Sequence, residues 1–198
     1  MPLHITARRD GDFAVSGRFE PGTTFLRQVH GAGVVVVTAP GEHAGAEADA
    51  AVTTVPGCRL AVRTADCVPV VLRGDGAVGV VHAGWKGLAA GVVAATRAAM
   101  ADLGSPPTHA VVGPHIRVGC YEFGPADLDT VAAALGDGVR STTAWGTPAL
   151  DLTAGIRAAL AGLDIDDAGA CTACSDVYFS YRARKESERF ATIAWLEE

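Results

Sequence analysis

Val68-Pro-Val-Val-Leu-Arg-Gly-Asp75-Gly76-Ala-Val-Gly-Val-Val-His82 is the stretch on which the fold turns. Two β-branched apolar runs flank an Asp-Gly pair, the strongest short-range signal of a hairpin. Residues 68 to 82 therefore read as an antiparallel pair with His82 at its far end. Just before the pair stands Arg63-Thr-Ala-Asp-Cys67, and just after it Ala83-Gly-Trp-Lys-Gly87. Further upstream, Arg27-Gln-Val-His30-Gly31 ends another apolar stretch. Apolar runs with abrupt polar ends read as strands that feed a site.

Working outward, further strands are expected at Thr24 to Val29, Val34 to Thr38, Ala50 to Val55, Leu60 to Thr64, Ala110 to Gly113 and Phe190 to Leu196. Leu88 to Leu103 is Ala-rich and closed by Gly104 and Pro106-Pro107, which predicts a helix. A second helix is expected to start at Pro125, where proline suits the first turn. A third should follow Thr153 as N-cap and end near Gly162. Gly136 to Pro148 reads as a loop. Strands interleaved with helices predict an α/β (α+β) fold, a layered sandwich of mixed sheets covered by helices.

The chain has 198 residues, 49% hydrophobic and 19% charged, which suits a single domain over 1–198 with a substantial core. Its 24 glycines and 10 prolines predict short elements joined by tight turns. Net charge is -6, and no Lys/Arg cluster of five or more appears, so nucleic acid and an anionic membrane surface are not expected partners. No apolar run has the length to span a bilayer. The first residues lack the apolar core of a signal peptide, and the five cysteines are an odd number. Together these point to a reducing cytoplasm.

One thiol and two imidazoles, Cys67, His30 and His82, are what a three-ligand zinc site with an open fourth position requires. Sharp turns at Gly31 and Gly84 bring backbone close to a ligand. Asp66 is a costly charge to bury without a partner. Gly84-Trp-Lys86-Gly87 joins a strand to a helix start, a place where N–H groups and Lys86 favour an anion. Tyr121 and Glu122 are candidates to line a pocket and bind a polar ring. His115 and Cys120 are candidate additional ligands. Cys171-Thr-Ala-Cys174 has the spacing of half a zinc site, but without a second pair it reads as two reduced thiols.

Arg27-Gln-Val-His-Gly31, Thr64-Ala-Asp-Cys67, Val81-His-Ala-Gly-Trp-Lys-Gly87, Gly113-Pro-His-Ile116, Cys120-Tyr-Glu122 and Phe179-Ser-Tyr-Arg182 occur in order along the chain. In this they resemble the YfiH/laccase-domain family, once labelled polyphenol oxidases or multicopper laccases and now described as purine nucleoside phosphorylases. The resemblance implies a YfiH-like sandwich with one metal centre, and carries metal-ligand roles onto His30, Cys67 and His82. Only some 25 residues precede the Gln-Val-His motif, so the N-terminal region looks shortened relative to the family. Lys185-Glu-Ser-Glu-Arg189 also replaces a more glycine-rich turn.

The resemblance implies phosphorolysis of adenosine, inosine or guanosine, and of methylthioadenosine, to free base and ribose 1-phosphate. Adenosine deamination by metal-activated water is the companion reading. In either, His30, Cys67 and His82 hold zinc, with copper as the alternative ion, and Asp66 or Glu122 moves protons. Arg27, Arg63 and Lys86 are candidates to hold phosphate, and Arg182 lies in the last motif. Two other classes compete. Copper-dependent phenol oxidation at a four-copper centre needs on the order of ten imidazoles, and the chain has six. A metal-free hydrolase with Cys67 as nucleophile, acting on peptidoglycan precursors, is the other. A monomer or small homo-oligomer is expected.

Overall fold

A computed structural model describes residues 1–197. In chain order these form strands β1 (Leu3–Ile5), β2 (Thr23–Phe25), β3 (Val34–Val36), β4 (Ala50–Thr53), β5 (Arg59–Thr64), β6 (Val68–Gly74) and β7 (Ala77–Ala83), then helices α1 (Trp85–Ala89) and α2 (Val92–Asp102). There follow β8 (His109–Val112), α3 (Pro125–Leu135), β9 (Arg140–Thr142), β10 (Pro148–Leu150), α4 (Leu152–Ala159), β11 (Asp164–Asp167), α5 (Tyr181–Arg184) and β12 (Phe190–Ala194).

The β6–β7 hairpin runs in register from Val68 opposite Ala83 to Gly74 opposite Ala77. That leaves Asp75 and Gly76 as its two-residue loop, and Gly76 takes the positive φ of 67° that the turn demands. The hairpin lies at the centre of a six-stranded sheet of order β11-β8-β6-β7-β4-β3. Its two edge pairs, β11 with β8 and β3 with β4, are parallel, and the inner pairs are antiparallel. A four-stranded sheet, β1-β12-β5-β2, forms a second layer, and β9 pairs with β10 separately.

Side chains alternate across a strand, so each strand of the large sheet serves two layers. Val71, Val78 and Val80 pack with Leu60, Val62 and Ala194 of the small sheet. Val70, Leu72 and Val81 pack on the other side with Leu88, Val92, Met100, Val131 and Ile156 of the helices. With both faces covered, β6 and β7 have no solvent side, which accounts for their unbroken apolar runs. The fold is thus the expected mixed α/β sandwich: sheet on sheet, with helices over the outer face of the large sheet. No helix among the described residues is long and apolar enough to cross a membrane.

The local departures have physical causes. The helix expected over Leu88 to Leu103 is two helices, and the first begins earlier, at Trp85. Gly91 adopts a left-handed φ of 86° between them, a conformation that ends one helix and turns the chain into the next. The N-cap of α4 is Asp151, not Thr153: its carboxylate accepts the Ala154 N–H. The strand expected to run on to Val29 stops at Phe25. Beyond it the Gln28 side chain imitates backbone pairing, donating to Arg63 O at 2.8 Å and accepting from Arg63 N at 2.9 Å. Strands β1, β9, β10 and β11 were not foreseen, and β9 lies in the segment expected to be loop.

Candidate active site

Strand pairing brings Cys67 and His82 together, and a loop adds His30. Ala65-Asp66-Cys67 is the passage by which the chain leaves β5 in the small sheet and enters β6 in the large one. Across the hairpin, Pro69 pairs with His82 and Val68 with Ala83, so His82 stands beside Cys67. His30 arrives on the loop between β2 and β3, in a left-handed conformation with φ of 60°. Asp66 is strained as well, with φ of 99°. Non-glycine residues adopt such angles where surrounding contacts over-determine them, a pattern that clusters at functional sites.

The ligating atoms of His30, Cys67 and His82 all lie within 4.8 Å of one another. Cys67 Sγ is 3.8 Å from His30 Nε2, and the two imidazole rings meet edge to face with centroids 4.8 Å apart. Gly84 closes this cradle: a Cβ there would come within 2.7 Å of His30 Cδ2 and 3.0 Å of Cys67 Sγ. A Cβ on Gly87 would stand 2.8 Å from the carbonyl oxygen of Gly31. The two glycines of Gly84-Trp-Lys-Gly87 thus let α1 approach the His30 loop closely. One thiol and two imidazoles converging on one point fit a zinc-type centre with an open position.

Asp49, which the sequence did not single out, is the residue that organises this set. It is fully buried just before β4. Its carboxylate accepts the backbone N–H groups of Val29, His30 and Gly31 at 3.2, 2.9 and 2.7 Å. The same group holds His82 Nδ1 at 2.8 Å. One side chain therefore fixes both the loop that carries His30 and the ring of His82, whose Nε2 is left facing Cys67.

The charges respond to one another. Burial pushes the Cys67 thiol up, but the neighbouring His82 imidazolium and the His30 hydrogen bond outweigh it and bring Cys67 down to about 6. Burial works against protonated His82, yet the Cys67 thiolate and Asp49 raise it to about 9. These opposed shifts favour a thiolate at Cys67 beside a protonated His82; a thiolate is the form that binds metal, and His82 would release its Nε2 proton to join it.

A cleft of about 690 Å³ opens over the centre. Arg27, Arg63, Lys86, Tyr121, Arg182 and Asp66 line it with the three ligand residues, and so do Trp85, Tyr181 and Arg189. Five cations face one carboxylate in a chain whose net charge is -6. That carboxylate is spent: buried Asp66 accepts from Thr172 Oγ1, Ser180 Oγ and the Arg182 N–H. Arg27 pairs with Glu47 on the rim, while Lys86 has no acidic partner within 4 Å among the described residues. Burial and the charge of Arg189 hold Arg63 below its ordinary value, with the Asp12 carboxylate opposing them. Tyr121 and Trp85 pack edge-on against Phe123 as an aromatic wall, and Arg182 lies 4.6 Å over the Tyr121 ring.

Two expected participants lie elsewhere. Glu122 faces outward to Trp145 and Thr147 and does not line the cleft. His115 is fully buried between Gly113 O and Thr153 Oγ1, away from the metal-ligand set. Burial lowers it to about 4, so it sits there as a neutral ring.

The family described as multi-copper polyphenol oxidoreductase laccase matches residues 7–197. A Streptomyces coelicolor protein named purine nucleoside phosphorylase is 41% identical over 204 residues, spanning 99% of this chain and 84% of its own length. A Mycobacterium tuberculosis protein of the same name is 37% identical, spanning 99% and 81%. Among solved structures, YlmD from Geobacillus stearothermophilus superposes with a TM-score of 0.78 at 27% identity, covering 90% of this chain and 74% of that one. YfiH from Bacillus licheniformis gives 0.76 at 28% identity, covering 89% and 74%.

Proposed function

The chain belongs to the multi-copper polyphenol oxidoreductase laccase family, the YfiH-like proteins, and from that membership we propose that it is a metal-dependent purine nucleoside phosphorylase. Adenosine, inosine, guanosine and methylthioadenosine are the proposed substrates, cleaved by phosphate to a free base and ribose 1-phosphate. The observation that carries this reading is the charge of the cleft. An acidic protein has gathered Arg27, Arg63, Lys86, Arg182 and Arg189 around a His/Cys/His centre, an arrangement suited to an anionic co-substrate.

His30, Cys67 and His82 would hold one zinc ion, which when bound supplies Lewis-acid polarisation of a substrate oxygen or nitrogen. Asp49 orients His82 and shapes the His30 loop. Tyr121 and Trp85 offer an aromatic face to the purine, and Tyr181 stands at the rim. Lys86 and Arg63 bind phosphate. Asp66, already accepting three hydrogen bonds, positions the Cys67 turn and the start of α5 and does not serve as a proton carrier. The histidine count weighs against a four-copper oxidase: His115 is buried in hydrogen bonds, and His109 pairs with Asp166 at a sheet edge.

The test is product identification. Each nucleoside is incubated with the protein, with and without inorganic phosphate, and separated by chromatography. Free base that forms only with phosphate supports the reading. Inosine formed from adenosine regardless of phosphate shifts the assignment to deamination.

A further inference from the structure

A second thiol cluster stands outside the cleft. Cys120 ends the short turn Val118–Cys120, and Cys171 and Cys174 bracket the turn after β11. Read in the sequence, Cys171-Thr-Ala-Cys174 lacked a partner. The fold supplies one from 54 residues away, with Cys120 Sγ 2.8 Å from Cys174 Sγ. All three sulfurs lie within 4.8 Å of one another. Cys120 and Cys171 are partly exposed and Cys174 is exposed, so an ion can reach them from solvent.

The surroundings suit a bound cation. The Arg117 N–H donates to Cys171 Sγ at 3.4 Å. The backbone N–H groups of Ala173 and Cys174 also turn to that sulfur. Several N–H donors on one sulfur stabilise a thiolate ligand, and a C-x2-C turn directs them there. A disulfide between Cys120 and Cys174 would leave Cys171, the sulfur with these N–H donors, idle. Three thiolates within one ion's reach employ all of them.

We propose that Cys120, Cys171 and Cys174 form a second metal site that takes one Zn2+ through three thiolates, with solvent in the fourth position. On a tetrahedral ion the sulfurs sit about 3.8 Å apart, given Zn–S bonds of about 2.3 Å, so Cys120 and Cys174 open by about 1 Å on binding. The ion braces the active cleft from behind. Residues on both of the loops it joins hold Asp66: the Ile116 N–H donates to Asp66 O at 3.0 Å, and Thr172 Oγ1 to its carboxylate at 2.7 Å. Tyr121, next to Cys120, lines the cleft itself.

The experiment uses the full chain, reduced, loaded with zinc alone, desalted and analysed for metal. The Cys67→Ala variant disables the first centre and so isolates this claim. It should retain one zinc per chain, and its cobalt form should show a thiolate-to-cobalt charge-transfer band in the near ultraviolet. Adding Cys174→Ser, a change at an exposed position, should remove both. A zinc-dependent rise in the melting temperature of Cys67→Ala, absent from the double variant, gives a readout independent of activity. The proposal is overturned if Cys67→Ala binds no zinc, if the double variant binds as much as the single one, or if the reduced and zinc-exposed chain yields a Cys120–Cys174 disulfide peptide. One zinc in both wild type and Cys67→Ala would support this site and count against the His30/Cys67/His82 centre.

Discussion

Asp49 carries four hydrogen bonds on one buried carboxylate, three from backbone N–H groups and one with His82. Asp49→Asn turns one of those acceptors into a donor facing N–H groups. The expected cost is about 1–3 kcal/mol of stability in urea unfolding. Zinc affinity should fall about 10–100-fold, as for other residues that orient a ligand imidazole. A variant that binds zinc as wild type does would show that Asp49 serves only the fold. Cys67→Ala is a contrasting case. It should lose the metal of this centre and the activity while keeping the wild-type circular dichroism spectrum, because the scaffold is held by two apolar layers and not by the ion. An unfolded variant, or one with full turnover, contradicts the assignment. His30 and His82 were legible because each ends an apolar run beside a glycine turn, and Cys67 because it stands at the polar break between two apolar runs. Asp49 was not, because its partners lie 18 to 33 residues away and meet it only once β4 has paired with β3 on one side and β7 on the other.

At the scale of elements, α1 is placed by what its glycines lack. Gly87→Ala puts a methyl group 2.8 Å from a backbone oxygen of Gly31, where no side chain can swing aside. We expect a loss of about 1–3 kcal/mol and weaker zinc binding, since the displaced loop carries His30. Calorimetry together with zinc titration checks both, and unchanged values would mean that α1 shifts freely. The ion pair between Arg117 and Asp167 ties the loop after β8 to the end of β11. Its hydrogen bonds hold the Asp167 carboxyl down to about 2, despite partial burial. A depressed carboxylate contributes stability that is fully present above its unfolded value of about 3.9 and lost as pH falls toward 2. Asp167→Asn should therefore cost about 1–2 kcal/mol at pH 7, with the gap from wild type closing between about pH 4 and pH 2. A pH-independent gap would assign the loss to packing. The central hairpin could be read from its Asp-Gly turn because its signal is local. Strand β11, Asp164-Ile-Asp-Asp167, could not: its acidic residues suit an exposed sheet edge, and only pairing with β8 makes it a strand. The break at Gly91 was hidden by the Ala-rich run that continues on its far side.

For the molecule as a whole, the informative quantity is the opposition between a net charge of -6 and a cleft lined by five cations. Composition argues against a nucleic-acid groove, but it could not show where the few cations gather. Arg27, Arg63, Lys86, Arg182 and Arg189 are scattered over more than 160 positions, and the fold brings them together. Lys86, without an acidic partner among the described residues, should hold the phosphate most directly. Lys86→Ala is expected to raise the phosphate KM about tenfold, the loss of one charge-assisted hydrogen bond, and to leave any phosphate-independent reaction unchanged. Equal loss of both activities would give Lys86 a structural task instead. The central claim is that one metal-dependent centre cleaves nucleosides with phosphate as the attacking group, and phosphorus NMR tests it most directly. With adenosine and inorganic phosphate, the zinc-loaded protein should build up a ribose 1-phosphate signal in step with free adenine, and the Cys67→Ala protein should give neither. Consumption of adenosine at the same rate without phosphate, with no sugar phosphate formed, would contradict the account.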